Sequence, residues 1–208
     1  YALLLNVRRA SILGVMLLGY AYYRHIDSDR GLFSIGLLAF ATLLCRLGDR
    51  DRSLVGAFVS ARREASDFET VGLMTQTAVL PLRIDEDATV AANLAGTGPA
   101  LAAGIDAARA GIARLATAFA ERGMDVAAVA TFSHEQDPDL SDAGLVAASH
   151  RPSPFVKFPL SVTLMEDAQG ALRLVGEAAV PAAELRLFLR RLRRVLDWMC
   201  HSPELALA

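Results

Sequence analysis

Few side chains in this sequence have types and spacings that could do chemistry. His134 stands beside Glu135 and Asp137 in the run His134-Glu135-Gln136-Asp137-Pro138. An imidazole paired with a carboxylate such as Asp137 can take a proton from an amine or hydroxyl. No serine or cysteine motif sets a nucleophile beside that pair, so the residues by themselves read as a polar loop. His25 lies in the charged stretch Arg24-His25-Ile26-Asp27-Ser28-Asp29-Arg30, where an isolated histidine is ordinarily solvated. The two cysteines, Cys45 and Cys200, fall in apolar-periodic stretches and read as small buried hydrophobes, not as a disulfide or metal framework. Cys-x-x-Cys, His-Glu-x-x-His, Walker and Gly-x-Gly-x-x-Gly patterns do not occur. That removes the most recognisable zinc, nucleotide and dinucleotide sites, and no bound cofactor is expected.

Elements must position these groups, and 208 residues are enough for one domain with a real core. Hydrophobic residues make up 53% and aromatics 7%, so Ala, Leu and Val carry the apolar content, as in helix-rich proteins. A net charge of −2 gives no global basic field to hold a phosphate backbone, and nucleic acid is not an expected partner. The one dense basic run, Arg190-Arg191-Leu192-Arg193-Arg194, reads as the solvated face of a helix.

Leu32 to Leu44 is apolar nearly all round and predicts a core helix, ending at Gly48 and the charged turn Asp49-Arg50-Asp51-Arg52. Leu54 to Val59 reads as a short buried strand, and Gly72 to Leu82 as a second extended segment with Pro81 near its end. Asp87 or Thr89 can cap the helix that follows, and Gly96-Thr97-Gly98-Pro99 is expected to break it. A further helix is predicted from Ala100 to Arg122, with Leu101, Ile105, Ile112, Leu115 and Phe119 as its apolar stripe and Gly123 as its stop. Phe132 to Pro154 reads as a long polar connection with a recognition or gating role. Phe158, Leu160, Val162 and Leu164 alternate with polar or proline positions, and Asp167-Ala168-Gln169-Gly170 turns the chain into Leu172-Arg173-Leu174, which predicts a hairpin. Leu185, Phe188, Leu189, Leu192, Val195, Leu196 and Met199 stripe a terminal helix. The order of elements predicts an α/β fold with a mostly central sheet and helices packed on its faces.

The N-terminal region is less regular. Ala10 to Tyr23 and Gly31 to Cys45 are apolar runs on either side of the charged stretch, each shorter than the roughly twenty residues that span a bilayer. Buried core helices are the first reading, and a membrane hairpin flanked by Arg8, Arg9 and Arg24 the second. A cleaved signal peptide fits poorly.

The stretch LLAFATLLCRLGDRDRSLVGAFVSAR, Leu37 to Arg62, resembles the helix, turn and strand that open the second lobe of nonribosomal peptide synthetase condensation domains. Those domains belong to the chloramphenicol-acetyltransferase-like superfamily. Val55-Gly56-Ala57-Phe58-Val59-Ser60-Ala61-Arg62 follows the family's VVVGTPVSGR form with Ala61 in place of Gly. Val71 to Arg83 resembles the family's IGxFVNTLPLR segment, with Met74-Thr75-Gln76 where the family has Phe-Val-Asn. Lys157 to Leu164 and the following turn are similar to the family's late hairpin, His134 to Pro138 is weakly similar to its His-Gln-Asp-x-Pro-Phe-Glu segment, and the likeness covers about four-fifths of the chain. Ala10 to Ala41 also resembles a membrane segment of sodium-solute-symporter-like sensor proteins. The division expected is an apolar appendage over residues 1–31, then a condensation-like C-terminal lobe over residues 32–208.

The resemblance implies a chloramphenicol-acetyltransferase-like lobe preceded by apolar helices, and acyl transfer as the ancestral chemistry. The family's His-His-x-x-x-Asp-Gly motif has a trace at Arg24 to Gly31, which implies His25 as the base and Asp29 as the structural carboxylate. Arg24 replaces the first His, and Arg30 intrudes before Gly31. The two alignments compete, because residues just ahead of the second lobe should not hold the catalytic loop unless a long internal segment has been lost. Gln76 and Arg62 are the expected substrate-tunnel residues, Gln76 because it keeps an amide where the family has Asn.

The reading favoured is a truncated lobe, inactive alone, that serves as a structural or docking module. The alternatives are an active acyl or peptidyl transferase using His25 and a membrane-associated sensor or transporter fragment. A carrier protein or a complementary N-terminal lobe is the expected partner, with substrate presented on a phosphopantetheine carrier if the lobe is active. The expected location is cytoplasmic, with residues 10–45 as the route to any membrane association.

Overall fold

The computed structural model describes residues 5–7, 28–60, 75–125, 128–136, 156–167 and 170–207. In chain order the elements are β1 (Leu5–Val7), α1 (Ser28–Leu47), β2 (Arg52–Ser60), β3 (Thr75–Arg83), α2 (Val90–Ala108), α3 (Ile112–Ala120), β4 (Ala130–Gln136), β5 (Leu160–Glu166), β6 (Leu172–Ala178) and α4 (Ala182–His201). The strands form one six-stranded mixed sheet in the order β1-β6-β5-β4-β2-β3. β2, β4 and β5 run parallel, while β3 and β6 fold back antiparallel on β2 and β5.

The segments read from sequence as strands around Leu54 to Val59 and up to Leu82 lie side by side. β2 and β3 pair from Arg52↔Arg83 to Ser60↔Thr75 without a break. On one face Val55, Ala57, Ala78 and Leu80 are buried, and Val79 is buried on the other. Register carries that row across the sheet through Ala57↔Phe132, Phe132↔Val162 and Val162↔Gly176.

α1, α2 and α4 cover this apolar face, and at three points glycine lets two elements approach. Gly36 of α1 sits on the Phe132 ring, where a Cβ would stand 2.5 Å from Cζ. Gly104 of α2 lies against the Leu80 side chain and the Val79 carbonyl, so α2 also shields the edge strand β3. Gly176 of β6 admits Leu185 and Leu189 of α4. The Phe132 ring is wedged between Phe33, 5.9 Å away, and Phe40, 5.7 Å away.

Several elements differ from the sequence expectation. The first helix begins at Ser28, a turn before Leu32. The division between residues 31 and 32 therefore falls inside α1, and Leu5–Val7 pairs with β6 in the same sheet. The expected break at Gly96-Thr97-Gly98-Pro99 is absent, because α2 runs through it with Pro99 in its interior. Its buried positions Val90, Asn93, Thr97, Gly104 and Ala108 keep the helical three- and four-residue steps, so packing outweighs local propensity. Thr89 is the cap, its Oγ1 accepting from the Ala92 amide at 3.1 Å. Asn93 fastens the first turn to the preceding loop, accepting from the Asp85 amide at 2.9 Å and donating to the Asp85 carbonyl at 2.8 Å. The break comes instead at Gly111, whose φ of +90° separates α2 from α3.

The expected connection from Phe132 to Pro154 is corrected over its first part, since Ala130–Gln136 is the central strand β4. Residues 137–154 lie outside the described residues. The expected hairpin appears as β5 and β6, and the terminal helix as α4, whose Leu185, Leu189, Leu192, Leu196 and Met199 are buried. The Arg193 guanidinium lies 3.6 Å from the Asp197 carboxylate on its outer side. Among the described residues, no helix is long and apolar enough to cross a membrane. α1 is apolar all round because it is enclosed by the sheet, α2 and α4.

Candidate functional site

In a sheet with parallel strands, the carboxyl ends of those strands are where ligand-binding crevices form. Here that end brings together the last residues of β2, β4 and β5 and the start of β3. α1 runs antiparallel to β2, so its first turn lies at the same end. Of the residues singled out from sequence, Gln76 is half-buried on β3 with Val59 as its cross-strand neighbour. The backbone of Asp29 is in the first turn of α1, not in a loop. Ser28 and Asp29 are short polar residues of the type that opens helices. His25 and Arg62 lie outside the described residues, as do residues 61–74.

His134 is near the end of β4, where register sets it beside Leu164. Among the described residues its carboxylate neighbour is Glu166; Asp137 lies outside them. His134 Nε2 stands 3.9 Å from Glu166 Oε2, with side chains only 7% and 9% exposed. That separation is too long for a direct hydrogen bond but brings an ionisable pair to one buried strand end. Glu166 was invisible as a partner in sequence because thirty-one residues separate it from His134.

Neither cysteine can serve as a nucleophile beside this pair. Burial pushes the Cys45 thiol above its ordinary range, against smaller opposing effects from Ser53 and Arg50. Burial, helped by the Asp197 carboxylate, pushes Cys200 up to about 12. Thiols held protonated in this way are poor nucleophiles. Among the described residues, no group of three or more His, Cys, Asp or Glu could hold a metal ion.

The opposite face of the sheet has another character. Thr131 donates to Ser161 at 2.8 Å, and the Ser133 and Thr163 hydroxyls are 2.9 Å apart, forming two rungs between β4 and β5. Thr131 and Ser133 are buried, and pairing removes most of the cost of burying a hydroxyl. Beside the rungs, a cavity of about 250 Å³ is lined by Ser161 and Thr163, the Phe58 and Phe158 rings, and Glu135 and Glu177. The two rings lie 5.7 Å apart, and Lys157 Nζ stands 5.4 Å from the centre of Phe158. Sequence reading missed this face, although Thr131, Ser133 and Glu135 alternate with Ala130, Phe132 and His134 as a half-buried strand requires.

The whole chain superimposes on the condensation domain of the monacolin K polyketide synthase MokA with a TM-score of 0.77 at 15% identity, covering 48% of that chain. The chain has the fold of the C-terminal lobe of a condensation domain. The lobe also overlays the X-domain solved in complex with OxyB from teicoplanin biosynthesis, with a TM-score of 0.76, 14% identity and 47% of that chain covered. Against the starter condensation domain of rhizomide synthetase RzmA the TM-score is 0.75, at 16% identity and 47% coverage. The lobe thus spans about half the length of the structures it resembles. No family model and no curated protein matches its sequence.

Proposed function

We propose that this chain is a condensation-type lobe that acts as the structural or docking half of an acyl-transfer unit and does not carry out transfer alone. The observation that carries this reading is that the entire chain overlays just under half of each domain it resembles. Two features of the site support it. The sheet face opposite α1, α2 and α4, with its paired hydroxyls and flanking Glu135 and Glu177, offers polar groups that a second lobe can meet. Among the described residues, both thiols are held protonated, so neither supplies an activated nucleophile.

On this reading the partner is a complementary N-terminal lobe, and the acyl group arrives on the phosphopantetheine arm of a carrier protein. Gln76, half-buried at the strand ends, offers an amide that can hydrogen-bond the acyl or acceptor chain. The base would come from the partner.

The test is amide formation from an acyl-phosphopantetheine carrier and a small amine. The chain alone should give no product, and adding the N-terminal half of a condensation domain should give turnover. If the chain alone turns over and His25→Ala abolishes that turnover, the docking reading is wrong and His25 is the base.

A further inference from the structure

A second concavity lies at the other end of the parallel strands, well away from the hydroxyl rungs and the His134–Glu166 pair. It is a groove of about 870 Å³ where β2 begins and β3 ends, within the size range of small-molecule sites. Arg50, Arg52 and Arg83 line it, with Asp125 as the single lining carboxylate among the described residues. Arg52 and Arg83 are cross-strand partners, and they share the Asp51 carboxylate at 3.7 Å and 3.5 Å. Two guanidinium groups on one carboxylate leave positive charge unneutralised, on a chain whose net charge is −2.

Two residues further along the same face of the sheet, Leu54 and Pro81 form the next cross-strand pair and an apolar floor. The wall comes from the end of α3. Gly123, with φ of +68°, turns the chain so that the Met124 amide bonds the Phe119 carbonyl at 2.9 Å, and both side chains line the groove. Met124 is 41% exposed, so its side chain offers apolar surface to the groove. The Ser53 hydroxyl also lines the groove, is 5% exposed, and has nothing stronger than the Cys45 thiol as a neighbour.

We infer that this groove binds an amphipathic anion, a carboxylate-headed apolar chain. The guanidinium groups of Arg50, Arg52 and Arg83 hold the head, and Leu54, Pro81, Phe119 and Met124 receive the tail. Guanidinium suits a carboxylate because its fork of donors matches the two oxygens. A cationic amphiphile of the same length would meet the same apolar floor but be repelled at the rim. The inference is independent of acyl transfer, since a docking half and a transferase half would both carry the groove.

Calorimetric titration of the chain with decanoate, decanol and decylamine, each below its aggregation concentration, tests it. Decanoate should bind, decanol at least tenfold more weakly, and decylamine not at all. The double variant Arg52→Ala/Arg83→Ala should lose at least tenfold in decanoate affinity. It should fold, because both side chains are largely in solvent, 74% and 69% exposed. Met124→Asp, also at an exposed position, should weaken decanoate and decanol alike. Equal binding of decylamine and decanoate, full affinity in the arginine variant, or no decanoate binding at all would overturn the assignment.

Discussion

The packing of Gly36 on Phe132 makes a prediction that can be worked through. Gly36→Ala removes a helix-interior glycine, which by propensity alone should stabilise α1 by up to about 1 kcal/mol. The new methyl, however, would stand 2.5 Å from Cζ and 3.0 Å from Cε1 of the Phe132 ring. That ring cannot swing away, being fully buried between Phe33 and Phe40. Overpacking of this kind costs roughly 1–3 kcal/mol, so the single variant should be neutral to destabilised by about 2 kcal/mol. Phe132→Leu deletes the ring atoms in question and should cost roughly 1–2 kcal/mol as a cavity. With the ring gone the methyl fits, and Gly36→Ala should then stabilise. The two substitutions should therefore couple favourably by about 1–3 kcal/mol, read as urea midpoints at constant slope across the four-member cycle. Strict additivity would mean that β4 does not lie under α1 as described, and with it the central position of that strand would fall.

Two other perturbations have a defined sign. Cys200 is held near a pKa of about 12 from 9.0 by burial and then by Asp197. A raised folded value means that its stabilisation is intact below pH 9 and is lost as pH climbs toward 12, amounting to about 1 kcal/mol by pH 10. The drop in urea stability between pH 8 and pH 10 should accordingly be smaller by that amount in Cys200→Ala, and an identical drop would remove Cys200 from the account. Pro99→Ala restores an amide inside α2 at an exposed position and should raise stability by about 1–3 kcal/mol, seen as a higher Tm; a lower Tm would argue that the helix does not run through Pro99.

Where local pattern and tertiary packing agree, the fold was legible from residues alone. The alternation in Val55 to Val59 and Ala78 to Leu82, the β5 and β6 hairpin and the stripe of α4 could all be read in this way. Misreadings arose where the two disagree. Gly96-Thr97-Gly98-Pro99 has the composition of a turn, yet Thr97 is one step in a buried stripe that continues on either side. β4 was hidden for a different reason. Thr131, Ser133 and Glu135 put two hydroxyls and a carboxylate on the sheet face opposite α1, α2 and α4, so polarity that belongs to one side of a sheet passed for a loop. The start of α1 was displaced because apolar content begins at Leu32 while the helix begins with Ser28 and Asp29. The candidate site was harder still: Gln76 was identifiable through family resemblance, whereas the approach of Glu166 to His134 depends on register between strands far apart in sequence.

The strand order has a further consequence for assembly of the sheet. β2 with β3 and β5 with β6 are neighbours in sequence, so each pair can close locally, β5 with β6 through a very short turn. β4 touches no strand that adjoins it by a tight turn, yet it alone joins one pair to the other. It is a keystone: its register is set only after both flanking units exist, which makes its arrival a late, long-range event in folding. A lesion there would not fray a margin but cleave the sheet into two ribbons, each with half of a hydrophobic floor left open to water.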